Sequence, residues 1–429
     1  VSAHQATMLL AGLALIITAA RLLGSLVQRL GQPRVVGEIL AGVLLGPTVL
    51  GTGLSAALLP GDVRPYLAGL AAIGLVLFMF LIGLELDHRV VASVGRKTVS
   101  VTVGSIVVPF VLGGLLAFHL ADRHAVTHPA VFALFVALAM SVTAFPVLAR
   151  ILTDRGLNRT RLGCLALTCA ALDDVIAWTL LAVTVAVAGT GGSGVWRAAL
   201  LVPYALLMMY LVRPLLQRRL AGRDASRVDT LLIVAGMLLS AGLTEWMGLH
   251  YIFGAFLYGV IMPRGTKDQI RQAVRRQIEP VSALLLPVFF VVAGLAVDLR
   301  ALGSAGLLDL TLILTVAVAG KFAGAFAAAR LSGLPARPAT ALASLMNTRG
   351  LTELVILSVG LQLGLIGTGM YSLMVVMAVV TTLMAAPVLW ATGYGRRTQQ
   401  PLPADLPRGA ETDDLAVAAA GDNRPMEER

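Results

Sequence analysis

Ala170-Ala171-Leu172-Asp173-Asp174-Val175-Ile176-Ala177-Trp178 sets two adjacent carboxylates in an apolar run from about residue 161 to 189. That run exceeds the roughly 20 residues needed to span a bilayer, and the acids fall near its middle. A charged side chain at that depth costs about 2.5–3.5 kcal/mol, so the pair predicts a wet, protein-lined cavity and a functional site, not a lipid-facing surface.

The surrounding chain supports a membrane reading. Of 429 residues, 58% are hydrophobic and 13% charged, against about a quarter charged in soluble domains. The formal charge of +10 is a matter of topology, because basic residues of an apolar chain gather in cytoplasmic loops; nucleic-acid binding is excluded. Cys164 and Cys169, the only cysteines, lie five apart on one helix and read as buried thiols without a disulfide or metal framework. The first apolar stretch is too long and too weakly basic in front to be a cleaved signal.

Apolar spans are predicted at about 7–29, 34–51, 65–86, 98–120, 129–152, 161–189, 195–216, 228–247, 249–263, 280–298, 307–331, 338–365 and 369–394, thirteen in all. Loop charge checks the count. With the N-terminus outside and the C-terminus cytoplasmic, inner loops hold 21 basic residues and outer loops only Arg64, Arg123, Arg197 and Arg300, as the positive-inside rule requires. Merging the eighth and ninth spans would put the two largest basic clusters on opposite faces. Between Arg264 and Pro280, Ile270, Val274 and Ile278 at four-residue spacing predict a short amphipathic helix on the inner surface, with a solvated connector as the alternative. Residues 1–394 form the transmembrane domain, and 395–429 a polar, disordered cytoplasmic tail with no soluble regulatory domain appended.

Two spans are interrupted. The fifth reads Ser141-Val142-Thr143-Ala144-Phe145-Pro146 and the twelfth Asn347-Thr348-Arg349-Gly350-Leu351-Thr352-Glu353. Pro146 lacks a donor and frees backbone groups, though a plain kink would explain it alone. Arg349 and Glu353 stand four apart and can pair within one helix, which still leaves a guanidinium in the membrane. Interruptions seven spans apart have opposite orientation, the pattern of a transporter built from an inverted repeat.

Lys321 completes the set. It is one of three lysines, with Lys97 and Lys267, in a chain of 33 basic residues, and it sits amid apolar and small neighbours in the eleventh span. Arginine keeps its proton, whereas a desolvated lysine can release it. Snorkelling is the alternative, but about ten apolar residues on either side put the interface out of reach. Lys321 beside one aspartate makes a pair that can break, while cation and proton compete for the other. If only the loaded site crosses between faces, that competition is antiport.

These residues resemble the second branch of the monovalent cation:proton antiporters, the bacterial Na+/H+ antiporters and K+/H+ exchangers. The likeness rests on Val36–Gly42 with Leu45-Gly46-Pro47, Phe80–Leu86, Thr143–Pro146, Asp173-Asp174, Phe289–Leu295, Lys321 and Asn347–Gly350. It covers residues 7 to 394. The resemblance implies an all-α fold in which two broken helices cross, scaffold and core subdomains, a homodimer, elevator-type movement, no cofactor and an inner (plasma) membrane location. Asp174 is implied to bind the ion and proton, and Asp173 to pair with Lys321. Thr143 would add a ligand, and Ser141, Pro146, Asn347, Arg349 and Glu353 would support the crossing. The acid doublet implies electrogenic Na+/H+ exchange and the Asn347–Gly350 stretch K+/H+ exchange, with Li+ as a further candidate ion. The nucleotide-binding domain of the glutathione-gated K+ efflux systems has no counterpart in this sequence, so gating by that route is not expected. A cation channel and a Na+-coupled organic anion symporter are the competing readings; an enzyme is not expected, because the six histidines lie near loops or span ends.

Overall fold

The computed structural model describes residues 2–85, 95–124, 128–157, 160–188, 200–220, 227–247, 250–263, 269–300 and 303–393. The 395–429 tail and several loop basic residues, among them Arg89, Arg159, Arg197, Arg223, Arg264 and Lys267, lie outside the described residues. Among the described residues every regular element is a helix, the solution that satisfies backbone groups inside one segment where water is absent. Nine of these helices are long and apolar enough to cross a membrane, or ten if one bent pair counts as a single span. The protein is a multi-pass membrane protein.

In chain order, α1 covers Ala3–Arg29, α2 Arg34–Leu45, α3 Pro47–Leu58, α4 Arg64–Glu85 and α5 Arg96–Ala121. The broken fifth span comprises α6, Pro129–Ser141, and α7, Phe145–Asp154; the doublet rides on α8, Arg161–Ala188. Next, α9, Leu201–Leu207, passes through a π turn at Met208–Val212 into α10, Arg213–Leu220. Then come α11, Arg227–Trp246; α12, Tyr251–Ile261; α13, Gln269–Leu295; and α14, Gly303–Leu331. The broken twelfth span is α15, Ala336–Met346, with α16, Leu351–Gln362, and α17 closes the fold at Thr368–Ala391.

Several expectations change. The second span is itself broken: α2 and α3 meet at 62°, because Gly46 is extended and Pro47 opens α3 at a position where its missing N–H leaves nothing unpaired. The stretch before Pro280 is not a separate surface helix. It is continuous with the tenth span in α13, and Val274 and Ile278 are buried in the core. With 11 residues, α12 is about 16 Å long, short of a hydrocarbon core of about 30 Å.

Extensive helix packing divides into two sets. In the first, α4 packs on α12 and α13, and α2 on α1 and α13; in the second, α5 packs on α6 and α14, and α14 on α15 and α17. The α8 helix joins the second set through α5, α6, α7 and α15. Each set has a seam where only glycine fits. A Cβ on Gly42 would lie 2.2 Å from the Val291 carbonyl, and one on Gly324 would lie 2.2 Å from that of Gly104. Small residues at such crossings let backbones approach where lipid supplies no hydrophobic drive. Three of the stretches that carry the family likeness, Val36–Gly42, Phe80–Leu86 and Phe289–Leu295, contain glycines of this kind, Gly42, Gly83 and Gly294.

Candidate ion-binding site

The two broken spans cross with their ends interlocked. A helix leaves its last four carbonyls without intrahelical donors, and at the end of α6 all four are met. Leu138 O accepts from the Ser141 hydroxyl at 2.8 Å. Ala139 O and Met140 O accept from the two Arg349 terminal nitrogens at 2.9 and 2.5 Å, and Ser141 O accepts from Lys321 Nζ. Two cations thus sit at the negative pole of α6, where the aligned peptide dipoles favour them. Across the break, the Thr143 hydroxyl donates to Met346 O at 2.8 Å and the Ala144 N–H to Thr348 O at 3.0 Å. The Arg349 N–H donates to Thr382 Oγ1 of α17 at 3.0 Å. Gly350 lets α16 come close to α7, since a Cβ there would lie 2.5 Å from Val147 Cγ2.

The acid doublet lies beside this crossing. Neighbouring residues of a helix point about 100° apart, so the two carboxylates face different surroundings. Asp173 Oδ2 accepts from Lys321 Nζ at 2.9 Å, and the pair is 1% and 0% exposed; the Thr143 hydroxyl interacts with the same carboxyl. Asp174, 4% exposed, faces the starts of both second half-helices: Thr352 in the first turn of α16 donates to Oδ1 at 3.3 Å, and the Phe145 amide opening α7 interacts with the same carboxyl. Helix N-termini stabilise a negative charge placed there.

Most of the residues singled out in the sequence converge, with changes of role. Lys321 does not snorkel; it is fully buried. Pro146 does not break the span by interrupting a helix. The break is Val142–Ala144, and Pro146 lies in the first turn of α7, where it interrupts no hydrogen bond. Arg349 and Glu353 pair at 3.1 Å, but across a helix start, because Gly350 is the N-cap of α16. Asn347 caps the end of α15, and its Oδ1 is buried without a partner. A crevice lined by Ile106, Ser141, Val142, Asp173, Ile176, Ala177 and Leu180 reaches Asp173 and is too narrow for a water-sized sphere.

Cys169 is buried as expected, but Cys164 is exposed. Among the described residues no group of three or more His, Cys, Asp or Glu could hold a metal ion. Thr352 and Thr382 escaped the sequence reading. Threonine is common in membrane helices, and only the position of Thr352 directly after the Asn347–Gly350 break could have marked it.

A bundle of apolar helices with two of them interrupted where they cross, beside buried opposite charges, is the construction of a secondary ion transporter. The transmembrane sodium/hydrogen exchanger family matches residues 14–391, and the chain belongs to that family. It is 41% identical over 395 residues to the Na(+)/H(+) antiporter NhaS4 of Synechocystis sp., covering 89% of this chain and 96% of that protein. It is 33% identical over 410 residues to the K(+)/H(+) antiporter 1 of Saccharomyces cerevisiae, covering 90% of this chain but 46% of that one. The chain thus spans nearly all of the first relative and about half of the second. The fold is similar to the sodium proton antiporter MjNhaP1 from Methanocaldococcus jannaschii, with a TM-score of 0.70 at 15% identity over 91% of this chain and 98% of that chain.

Proposed function

We propose that the protein exchanges a monovalent cation for protons across the inner membrane, and that Na+ is the ion carried. The observation that carries this reading is the division of labour within the doublet. Asp173 is held by Lys321 at 2.9 Å, while Asp174 faces the starts of α7 and α16, with the Thr352 hydroxyl and the Phe145 amide against it and no ion pair of its own among the described residues. One acid has a built-in counter-ion and the other lacks one, so a mobile cation or a proton supplies it. Names of relatives as sodium/proton antiporters support this assignment.

Thirteen spans in an inverted repeat fit the reading, with the outer N-terminus that loop charge requires. In it, the set containing the crossing is the core that shifts against a scaffold in elevator fashion, and two chains assemble as a homodimer. Exchange is electrogenic when the Lys321 amine gives up its proton as the cation loads, so that two protons, one from Asp174 and one from Lys321, move against one cation. K+ is the second reading, favoured by the Asn347–Gly350 stretch and by the yeast relative's name. Purified protein in proteoliposomes, with a pH dye and a clamped potential, tests the proposal across Li+, Na+ and K+. Asp174→Asn is expected to abolish cation-driven proton movement while the protein remains folded. Wild-type dequenching by this variant would overturn the assignment.

A further inference from the structure

We infer that the Thr352 hydroxyl is a direct ligand of the transported cation and favours small monovalent ions over large ones. This deepens the exchange reading and rests on it.

The hydroxyl is out of its ordinary place. A helical threonine usually turns its hydroxyl back to the carbonyl four residues earlier. Thr311, Thr315, Thr340 and Thr381 all do so here, at 2.7 to 2.9 Å. Thr352 does not. The chain from Asn347 to Gly350 is not helical, and Thr348 O, its would-be acceptor, already receives the Ala144 N–H across the crossing at 3.0 Å. Breaking the span has therefore released one hydroxyl, and the structure turns it on Asp174 with the residue 2% exposed.

The contact is also loose. Its 3.3 Å separation compares with about 2.5–2.7 Å for a hydroxyl donating to a carboxylate. Two oxygens at that spacing suit a shared ion. Na+ is close to Ca2+ in size, and a cation of that size holds oxygen ligands at about 2.3–2.6 Å, so ligands at right angles around it lie about 3.3–3.7 Å apart. Thr352 Oγ1 and Asp174 Oδ1 already stand at the short end of that range. A K+ ion, with longer bonds to oxygen, would have to spread them. A hydroxyl has lone pairs besides its proton, so turning the O–H bond aside converts a donor to Asp174 into a ligand.

Thr352→Val removes the hydroxyl and keeps the side-chain volume; Thr352→Ser keeps the hydroxyl and removes a methyl. In proteoliposomes of the full chain, exchange is titrated with Li+, Na+ and K+. Thr352→Val should raise the apparent KM for Na+ about tenfold, the worth of one contact to a charged group, with a smaller rise for K+ and little change in the maximal rate, and Thr352→Ser should restore the wild-type KM. If the valine variant does not fold, Thr352→Ala is compared with serine in its place. An unchanged KM, or equal losses in the valine and serine variants, overturns the inference while an inactive Asp174→Asn leaves the exchange reading standing. A wild-type protein without cation-dependent proton movement would remove both.

Discussion

Arg349 is the residue on which the crossing leans most heavily. Its side chain is fully buried and meets three acceptors, Ala139 O, Met140 O and Glu353 Oε1. Arg349→Met keeps much of the apolar stem and removes all three bonds. Each abandoned carbonyl costs about 1–3 kcal/mol, and a buried carboxylate that loses its partner about 3–5 kcal/mol. The contributions overlap, so the expected loss is on the order of 5 kcal/mol, against about 5–15 kcal/mol for a typical domain. The variant should melt many degrees lower in fluorescence-detected size exclusion. Adding Glu353→Leu takes away the stranded charge, so the double variant should be more stable than Arg349→Met alone, with the α6 carbonyls still unmet. Arg349→Met melting within a degree of wild type, or a double-variant loss equal to the sum of the single losses, would refute the reasoning.

Two further outcomes are expected. Lys321→Gln removes the counter-charge of Asp173 and one donor to Ser141 O, so exchange should lose its response to an imposed membrane potential; an unaltered potential dependence, measured in valinomycin-clamped vesicles, would demote the amine to a structural group. Gly42→Val would drive a Cβ to 2.2 Å from Val291 O, whereas a Cβ on Gly53 meets nothing within 4 Å. The first substitution should therefore sharply reduce membrane-inserted, monodisperse protein and Gly53→Ala should not. Equal yields would show that the α2 and α13 backbones can part.

The nine described helices that are long enough to cross a membrane were legible because apolar length sets a membrane span, and the interruptions because polar residues stand out against lipid. Lys321 was legible for the same reason, sharpened by the rarity of lysine in this chain. Other features depended on what lies beside a residue and were invisible in one dimension. Pro146 could equally kink a helix or start one. Gly46-Pro47 read as part of a familiar stretch, although it bends the second span by 62°. Which partners each acid meets turned on how closely α7, α14 and α16 approach α8. Thr352 carried no mark of its own, since its difference from Thr311 or Thr340 lies in a carbonyl already claimed by another segment. Cys164 faces outward because α8 meets its neighbours with only part of its circumference.

The partition of helix packing into two sets has a mechanical consequence. Among the described residues no helix of one set is extensively packed against a helix of the other. The sets share an apolar core, and the hydrogen bonds between them are few: Gln32 to Leu383 O at 3.3 Å, the Asp298 N–H to Ser372 at 2.9 Å, Tyr371 to Ala293 O at 3.0 Å, and His250 to Gln362 at 3.1 Å. Trp178 and Phe256 add one ring contact, at 6.4 Å between centroids. Sliding the sets past each other would exchange these links and the apolar contacts of the shared core, which are not directional, and leave both glycine seams closed. The toll of such a shear falls on side chains at the boundary, so its height can be tuned one residue at a time without unsettling either interior.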